Sequence, residues 1–316
     1  MSFTFATLFI QTRQIMDNRV LLIVLLASLS LAGFCQGYVN YDYLPSSSFK
    51  DKEGNKYGSG NLQRVSGRYT IPLSRRLNER NQPTAWGMTL SASYGMMDNE
   101  GEARELNPDH ILNTSLTITH LRPLSERWNL LASLGCGIYA APDEVRWKSL
   151  LGNGSFIFAY RLNNHLSIGI GGGLTNSYGI PIIMPMGYLN WRTNGRYEVT
   201  IDIANAPKVQ IATQVCKAVR LELTAIEMDG ISAVMRVDGK QKIYSSTMIR
   251  SVLNASFRIY GKASVYAGVG GVWLRSTKMI DRNPRSFFNS LNDDTDKDKY
   301  RFDTSLRIFT GFRYDF

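Results

Sequence analysis

The seventeen residues from Tyr300 to Phe316 constrain this chain more than any other stretch. Taking every second residue, one series reads Tyr300, Phe302, Thr304, Leu306, Ile308, Thr310, Phe312, Tyr314, Phe316. The other reads Arg301, Asp303, Ser305, Arg307, Phe309, Gly311, Arg313, Asp315. Successive side chains of a strand point to opposite faces, so this period of two sets an aromatic-rich apolar face against a largely charged one. An ordinary globular strand runs to ~5–6 residues. One roughly three times longer, apolar outside and charged inside, suits a wall between lipid and water, as in a transmembrane β-barrel.

The same period recurs along the chain. Trp86, Met88, Leu90, Ala92, Tyr94 and Met96 alternate with small or polar residues, as do Trp128, Leu130, Ala132, Leu134, Cys136 and Ile138. Phe156, Phe158 and Tyr160 follow, then Leu166, Ile168 and Ile170, then Tyr197, Val199, Ile201 and Ile203. Val219, Leu221, Leu223 and Ala225, and later Leu253, Ala255, Phe257 and Ile259, complete the series. No helical period interrupts it. A soluble sandwich or propeller would leave these outward apolar stripes unpaired on many strands.

Connections alternate in length. Short turns are expected at Asn78 to Pro83, Pro123 to Arg127, Asn163-Asn164, Asn194-Gly195, Lys217 and Gly261-Lys262. Longer polar links are expected at Lys50 to Gly60, Asn99 to Asp109, Pro142 to Lys148, Asp229 to Lys240 and Asp281 to Lys299. Barrels of the bacterial outer membrane keep short turns in the periplasm and long loops outside, with an even strand count. The expected fold is therefore all-β, an antiparallel up-and-down transmembrane barrel of about fourteen strands closed by the aromatic C-terminal strand. Twelve is the alternative if Tyr38 to Pro45 is a lead-in and the stretch from Ile180 to Cys216 loses one strand. Aromatics near strand ends, Tyr69, Trp86, Trp128, Tyr139, Tyr160, Trp191, Tyr197, Trp273 and Tyr314, fit two interfacial girdles.

At the other end, Val20 to Ala32 is an apolar run preceded by Arg19 and closed by Ala32 and Gly33. It reads as a cleaved secretory signal peptide, too short for a spanning helix. Met16 stands directly before it, so residues 1–15 read as an over-extended start, 16–35 as the signal, and 38–316 as the barrel, exported to the outer membrane. Cleavage is expected after Cys35 or Gly37. Phe34 occupies the position where a lipobox needs a small residue, which disfavours lipidation of Cys35. Cys136 and Cys216, far apart in sequence, read as unpaired thiols and not as a disulfide framework.

The formal charge is +10, or +9 without the leader's Arg13, Arg19 and Asp17. The arginines fall at strand positions and form no patch or tail, so nucleic acid is not the expected partner. Expected lumen-facing charges are Arg64, Arg68, Arg161, Arg192, Arg196, Lys208, Arg220, Arg250, Arg258, Arg301, Arg307 and Arg313. Against them stand Glu198, Asp202, Glu222, Asp303 and Asp315. These make either a pore lining or a salt-bridge ladder; a cation with a carboxylate partner belongs to a ladder, one without to a pore.

Catalytic and metal chemistry is thin. The three histidines, His110, His120 and His165, form no metal-binding spacing, and no metal or cofactor is expected. His110 beside Asp109 is the one arrangement with catalytic potential, but no motif positions a nucleophile, so no catalytic residue is assigned. Gly169, Gly171, Gly172 and Gly173 lie within an alternating strand with no helix following, which excludes a phosphate loop. They read as lumen-facing small residues that make room. Asn292 to Asp298 offers alternate carboxylates but lacks the central glycine and closing glutamate of a calcium loop.

The signal peptide, Tyr41-Asp42-Tyr43-Leu44-Pro45-Ser46, Tyr69-Thr70-Ile71-Pro72-Leu73 and the aromatic C-terminal strand together resemble a family of uncharacterised outer-membrane β-barrels of Bacteroidetes-type bacteria. Phe312, Tyr314 and the terminal Phe316 resemble the closing strand of Gram-negative barrels. That resemblance implies recognition by the barrel-assembly machinery and periplasmic chaperones, and contact with outer-membrane lipid and lipopolysaccharide. At the level of architecture the chain is also similar to fourteen-stranded barrels for hydrophobic compounds, which carry an N-terminal plug. Few residues lie here between cleavage and Tyr38, so no such plug is expected. The expected function is a passive pore for small polar or anionic solutes and not an enzyme. The alternatives are a closed structural or surface-binding barrel and, behind both, an outer-membrane hydrolase.

Overall fold

The computed structural model describes residues 36–175, 182–193, 195–203, 207–237, 239–282 and 300–315. The expected signal peptide, Asn194, the acidic stretch Asn292 to Asp298 and Phe316 lie outside these residues. Among the described residues the strands are β1 (Gln36–Lys50), β2 (Lys56–Leu77), β3 (Pro83–Met96), β4 (Asn99–Gly101), β5 (His110–Pro123), β6 (Trp128–Ala140), β7 (Leu150–Arg161) and β8 (Leu166–Thr175). They continue as β9 (Ile182–Arg192), β10 (Tyr197–Asp202), β11 (Lys208–Cys216), β12 (Val219–Val237), β13 (Lys240–Tyr260), β14 (Ala263–Asp281), β15 (Tyr300–Phe302) and β16 (Ser305–Tyr314). Omitting the short β4 and β15, fourteen strands pair with their neighbours in antiparallel order, and β16 closes on β1 from Gly37↔Tyr314 to Tyr43↔Ile308. The protein is a fourteen-stranded transmembrane β-barrel, with β1 a full wall strand and three strands between 182 and 216.

Period two makes the wall amphipathic. Leu90, Leu116, Leu134, Phe156, Ile170, Leu253, Val269 and Ile308 stand exposed on the outside, Leu134 and Ile170 at about three-quarters of full exposure. So continuous an apolar exterior is stable against hydrocarbon and not against water. Trp86 stacks on His120 with ring centroids 4.0 Å apart, and Trp128 lies 5.0 Å from Tyr160, both beside short turns. Near the opposite end Trp273 Nε1 donates to Ser251 Oγ. Tyr139 departs from the expected girdle: it shares its face with Asn113, its Cα partner, and lines the lumen.

Glycine shapes the wall at two places. A Cβ on Gly171 would meet the Phe156 carbonyl oxygen at 1.9 Å, and one on Gly270 would meet the Ser251 oxygen at 1.9 Å. These lumen-side positions let β8 and β14 bend tightly against their neighbours, as barrel corners require.

The outer half differs from a simple tube. β10 and β11 have only six and nine residues, whereas β12, β13 and β14 run for 19, 21 and 19. The stretch from Asp229 to Lys240, expected as a polar loop, is strand through Val237 and turns tightly at Gly239, which has φ +75°. The link expected from Lys50 to Gly60 likewise shortens, with β2 resuming at Lys56. The long β12–β13 hairpin, still paired with β14 as far as Lys242↔Asp281, bends inward with it and closes against β6. There Val234 forms a parallel bridge with Ala140, and Ala141 N–H donates to the Val234 carbonyl at 2.9 Å. Arg236 Nε lies 3.2 Å from Glu144 Oε1. Once oriented to donate, the Asn113 amide reaches the Ser232 carbonyl at 2.8 Å. Above this level the ring formed by the described residues narrows to nine strands: β1, β2, β3, β5, β6, β12, β13, β14 and β15.

An apolar cluster fills that narrow ring. Ile231, Ala233, Tyr244 and Met248 of the hairpin pack with Leu44, Leu62, Met97, Ile111 and Val272 of the surrounding wall. Burial of large side chains at ~1.5–3 kcal/mol each makes this a firm closure.

Tyr300 to Phe316 is not one strand. β15 and β16 are separated at Asp303-Thr304 because Phe302 turns inward. Its ring lies 4.8 Å from that of Phe49 and 3.9 Å beneath the Arg275 guanidinium. The inward set is therefore Phe302, then Ser305, Arg307 and Phe309, and alternation is out of step across the break.

Candidate functional site in the barrel lumen

Cross-strand register brings the lumen charges together. Asp42 of β1 is the Cα partner of Arg64 of β2, and Glu227 of β12 is that of Arg250 of β13. Arg307 Nε donates to Asp42 Oδ1 at 2.8 Å, and its Nη2 bonds the same oxygen. Asp42 also accepts from Arg64 Nη2 at 3.4 Å. The same Arg64 nitrogen lies 2.7 Å from Asp229 Oδ2, reaching from β2 to β12. Arg250 then joins Asp229 at 2.7 Å to Glu227 at 2.8 Å. The result is an alternating chain, Arg307–Asp42–Arg64–Asp229–Arg250–Glu227, with three cations and three carboxylates. Asp42, Arg64 and Arg307 are buried. Buried charges of this kind persist only when paired, because leaving either sign alone is costly.

Towards the short-turn end a second chain runs Arg313–Glu222–Arg220–Glu198, with separations of 3.7, 3.0 and 2.6 Å. Asn254 Nδ2 adds a donation to Glu222 Oε2 at 3.2 Å. It too is balanced in charge.

Two cavities flank these chains. One, of about 410 Å³, lies beneath the hairpin, with Gly230 and Ile231 among its lining and Asp42, Arg64, Arg68, Lys208, Asp229 and Arg250 around it. The other, of about 460 Å³, is lined by Arg220, Glu222, Arg258, Lys262 and Asp315. Arg313 borders both.

The expected lumen residues divide into groups. Arg64, Arg220, Arg250, Arg307, Arg313, Glu198 and Glu222 are the members of the two chains. Arg68 and Arg258 line the cavities and form no ion pair among the described residues. Arg161 donates to the Glu126 carbonyl at 2.7 Å, and the Arg196 guanidinium lies over the Tyr197 ring. Arg192 and Asp202 occupy inward register positions on β9 and β10, beside Thr200 and Lys208 respectively. Arg301 and Asp303 depart from expectation. Arg301 is exposed on the face opposite Phe302, and Asp303 pairs at the rim with Lys50 at 2.7 Å, because alternation breaks between β15 and β16. Phe312 and Tyr314 belong to the outward series of β16.

Sequence reasoning missed Asp42, Glu227, Asp229 and Arg275. Asp42 follows Tyr38 and Asn40 in the inward series of β1 and was legible by alternation alone. Glu227 and Asp229 were hidden by a bulge between Thr224 and Glu227, which moves the inward set of β12 from even to odd positions. Arg275 is almost fully buried without a carboxylate partner among the described residues; it contacts Met97 Sδ at 3.4 Å and the Phe302 ring.

Among the described residues no cluster of three potential metal ligands exists. His110 stacks against Tyr94 at 5.8 Å on the outward face of its strand pair. His165 Nδ1 is 3.0 Å from the Arg192 carbonyl oxygen. Cys136 and Cys216 are free.

Residues 31–315 match the family model described as Domain of unknown function (DUF6268). No curated protein gives a match. Among solved structures, an outer membrane channel from Pseudomonas putida F1 is similar at 10% identity and a TM-score of 0.46, covering 90% of this chain and 96% of its own. The Pseudomonas putida toluene transporter TodX is similar at 8% identity, TM-score 0.37, with 92% of each chain covered. The Escherichia coli outer membrane protease OmpT gives 11% identity and 0.28, covering 90% and 97%.

Proposed function

Given that the chain belongs to the DUF6268 family, whose function is undefined, we propose its role from the lumen: an outer-membrane channel for small polar or anionic solutes, closed on the outside by its own β12–β13 hairpin. The observation that carries this is the pair of polar cavities, about 410 and 460 Å³, in series through Arg313 and ending beneath the hairpin. A barrel serving only as a wall has no need of two charged chambers along its axis, and fourteen strands enclose more than side chains alone fill. In this reading the short turns face the periplasm and the hairpin faces outward. Lipopolysaccharide and lipid surround the apolar belt, and the outward aromatics of β16 present the assembly signal. No catalytic step is assigned: His110 points away from the chambers.

Opening requires the hairpin to leave β6. The Val234–Ala140 bridge, the Arg236–Glu144 pair and the Arg64–Asp229 pair would break together, and Ile231 and Met248 would withdraw from their cluster. Planar-bilayer recording of the purified barrel tests the proposal. Brief, infrequent openings with an anion-selective reversal potential are expected, becoming long-lived when residues 231–244 are replaced by a short turn. A cation preference would remove the anionic part of the reading. Silence of both proteins would remove the channel and leave the second reading, a closed structural barrel, which the charge-balanced chains favour.

A further inference from the structure

We infer that the short-turn rim of the barrel carries a headgroup site for an anionic phospholipid, built on the outward arginines Arg76 of β2 and Arg122 of β5. The site is on the outer surface and stands whether or not the lumen conducts. Charge distribution points to it first. The short-turn segments 75–80, 122–127, 161–165, 192–198, 217–222 and 258–262, with 313–315 at the end of β16, hold thirteen cations against five carboxylates. All other residues from Gln36 onward hold 21 against 20. Nearly the whole net charge of the barrel therefore sits on one rim. This corrects the expectation that the arginines form no patch: antiparallel hairpins gather at one end cations that lie far apart in sequence.

Part of this collar faces outward, at the level of the aromatic girdle. Arg127 Nη1 donates to the Tyr160 hydroxyl at 3.1 Å, and the Arg196 guanidinium lies 5.8 Å from the centre of the Tyr197 ring. Tryptophan and tyrosine in such girdles mark the depth of the lipid headgroups. Register then brings two arginines together. Arg76 is the Cα partner of Thr84 on one side of β3. On the other side the pairs Trp86↔His120 and Ala85↔Leu121 carry the register on to Arg122 opposite Thr84. Arg76 and Arg122 thus flank a single residue, with their Cα atoms about 10 Å apart at ~4.8 Å per strand. They share the face of Trp86, whose ring stacks on His120 two residues further into the membrane. Both arginines are exposed, and neither forms an ion pair among the described residues. Glu79 and Glu126 are the carboxylates of their turns.

Two guanidiniums so placed reach one phosphodiester, to which each offers paired N–H groups. The Trp86 and His120 rings lie where the glycerol and upper acyl chain of the same lipid pass. A lipid with an uncharged headgroup, such as phosphatidylglycerol, keeps its full negative charge for the collar. The quaternary ammonium of phosphatidylcholine cancels that charge.

Native mass spectrometry of the intact barrel tests the site, after incubation in detergent with dioleoyl phosphatidylglycerol or dioleoyl phosphatidylcholine. The first phosphatidylglycerol should be retained at roughly 25-fold lower concentration than phosphatidylcholine, about fivefold for each arginine. Arg76→Gln and Arg122→Gln should each remove about fivefold, and the double variant most of the preference. The double Arg76→Lys, Arg122→Lys variant should keep most of it, and Arg104→Gln, at the opposite rim, should change nothing. Heat-modifiable gel migration establishes that each variant is folded. Equal retention of the two lipids, or a preference untouched by the double glutamine variant, would overturn the site. Co-sedimentation with peptidoglycan that the double variant loses, with lipid retention unchanged, would assign the arginines to that polymer and overturn it too. Bilayer current should be the same in parent and double variant, so the lipid site and the channel fail separately.

Discussion

Replacing Asp42 with alanine tests whether the lumen is sealed at the level of the upper charge chain. Asp42 is 1% exposed and Arg307 4%. Arg64 would keep Asp229 at 2.7 Å, but Arg307 has no other carboxylate partner among the described residues. Removing one member of a buried ion pair costs ~3–5 kcal/mol, because the survivor is left charged and unsolvated. The Phe309 ring, 4.7 Å from the Arg307 guanidinium, offsets only a part, about 0.5–2 kcal/mol. Asp42→Ala should therefore lower stability by ~2–4 kcal/mol. The double variant Asp42→Ala with Arg307→Met removes the stranded charge and should lie within ~1 kcal/mol of the parent, since apolar replacement of a buried pair is often neutral. Urea titration of the barrel in lipid vesicles, followed by tryptophan fluorescence and heat-modifiable migration, reads both. If Asp42→Ala costs under ~1 kcal/mol, or the double variant is no better than the single, Arg307 is hydrated and the lumen at this level is open water.

Two further predictions concern the wall. Changing Phe312 and Tyr314 to aspartate puts charge on the outward face of β16, at ~2–4 kcal/mol per residue near the midplane and ~0–1 near the interface for the most costly side chains; periplasmic accumulation in cell fractionation is expected, and unchanged surface levels would refute it. Gly270→Ala, whose Cβ would fall 1.9 Å from a backbone oxygen, should cost ~1–3 kcal/mol in the urea titration, whereas Gly187→Ala, with nothing within 4 Å, should be silent.

Much of the barrel was legible because alternation is a local property: Trp86 to Met96 or Leu253 to Ile259 states its lipid face without reference to anything distant. Strand number followed from counting turns. The closure was not legible. The Asp229 to Lys240 stretch is polar enough to pass for a loop, and its strand character comes from hairpin pairing with Lys240–Met248 and from the long-range packing of Ile231 and Ala233 inside the outer ring. Parity failed where strands bulge or break: the Thr224/Glu227 bulge concealed Asp229, and the Asp303-Thr304 break reversed Arg301 and Phe302. The lumen arginines were visible as a set. Their partners were not, because Arg64 meets Asp229 across the barrel and no sequence interval encodes that distance.

The central claim is that the inward β12–β13 hairpin closes the outer end of a conducting lumen, and a reversible lock tests it most directly. Val234 and Ala140 are Cα partners in the bridge between β12 and β6, so cysteines at both positions are placed for a disulfide. Cys35→Ser, Cys136→Ser and Cys216→Ser remove the native thiols. Planar-bilayer recording of the Val234→Cys, Ala140→Cys protein should show no openings when oxidised, and openings at the parental frequency after reductant is added. Oxidised protein that conducts as well as the reduced form would contradict the account, since ions would then be passing a hairpin that cannot move.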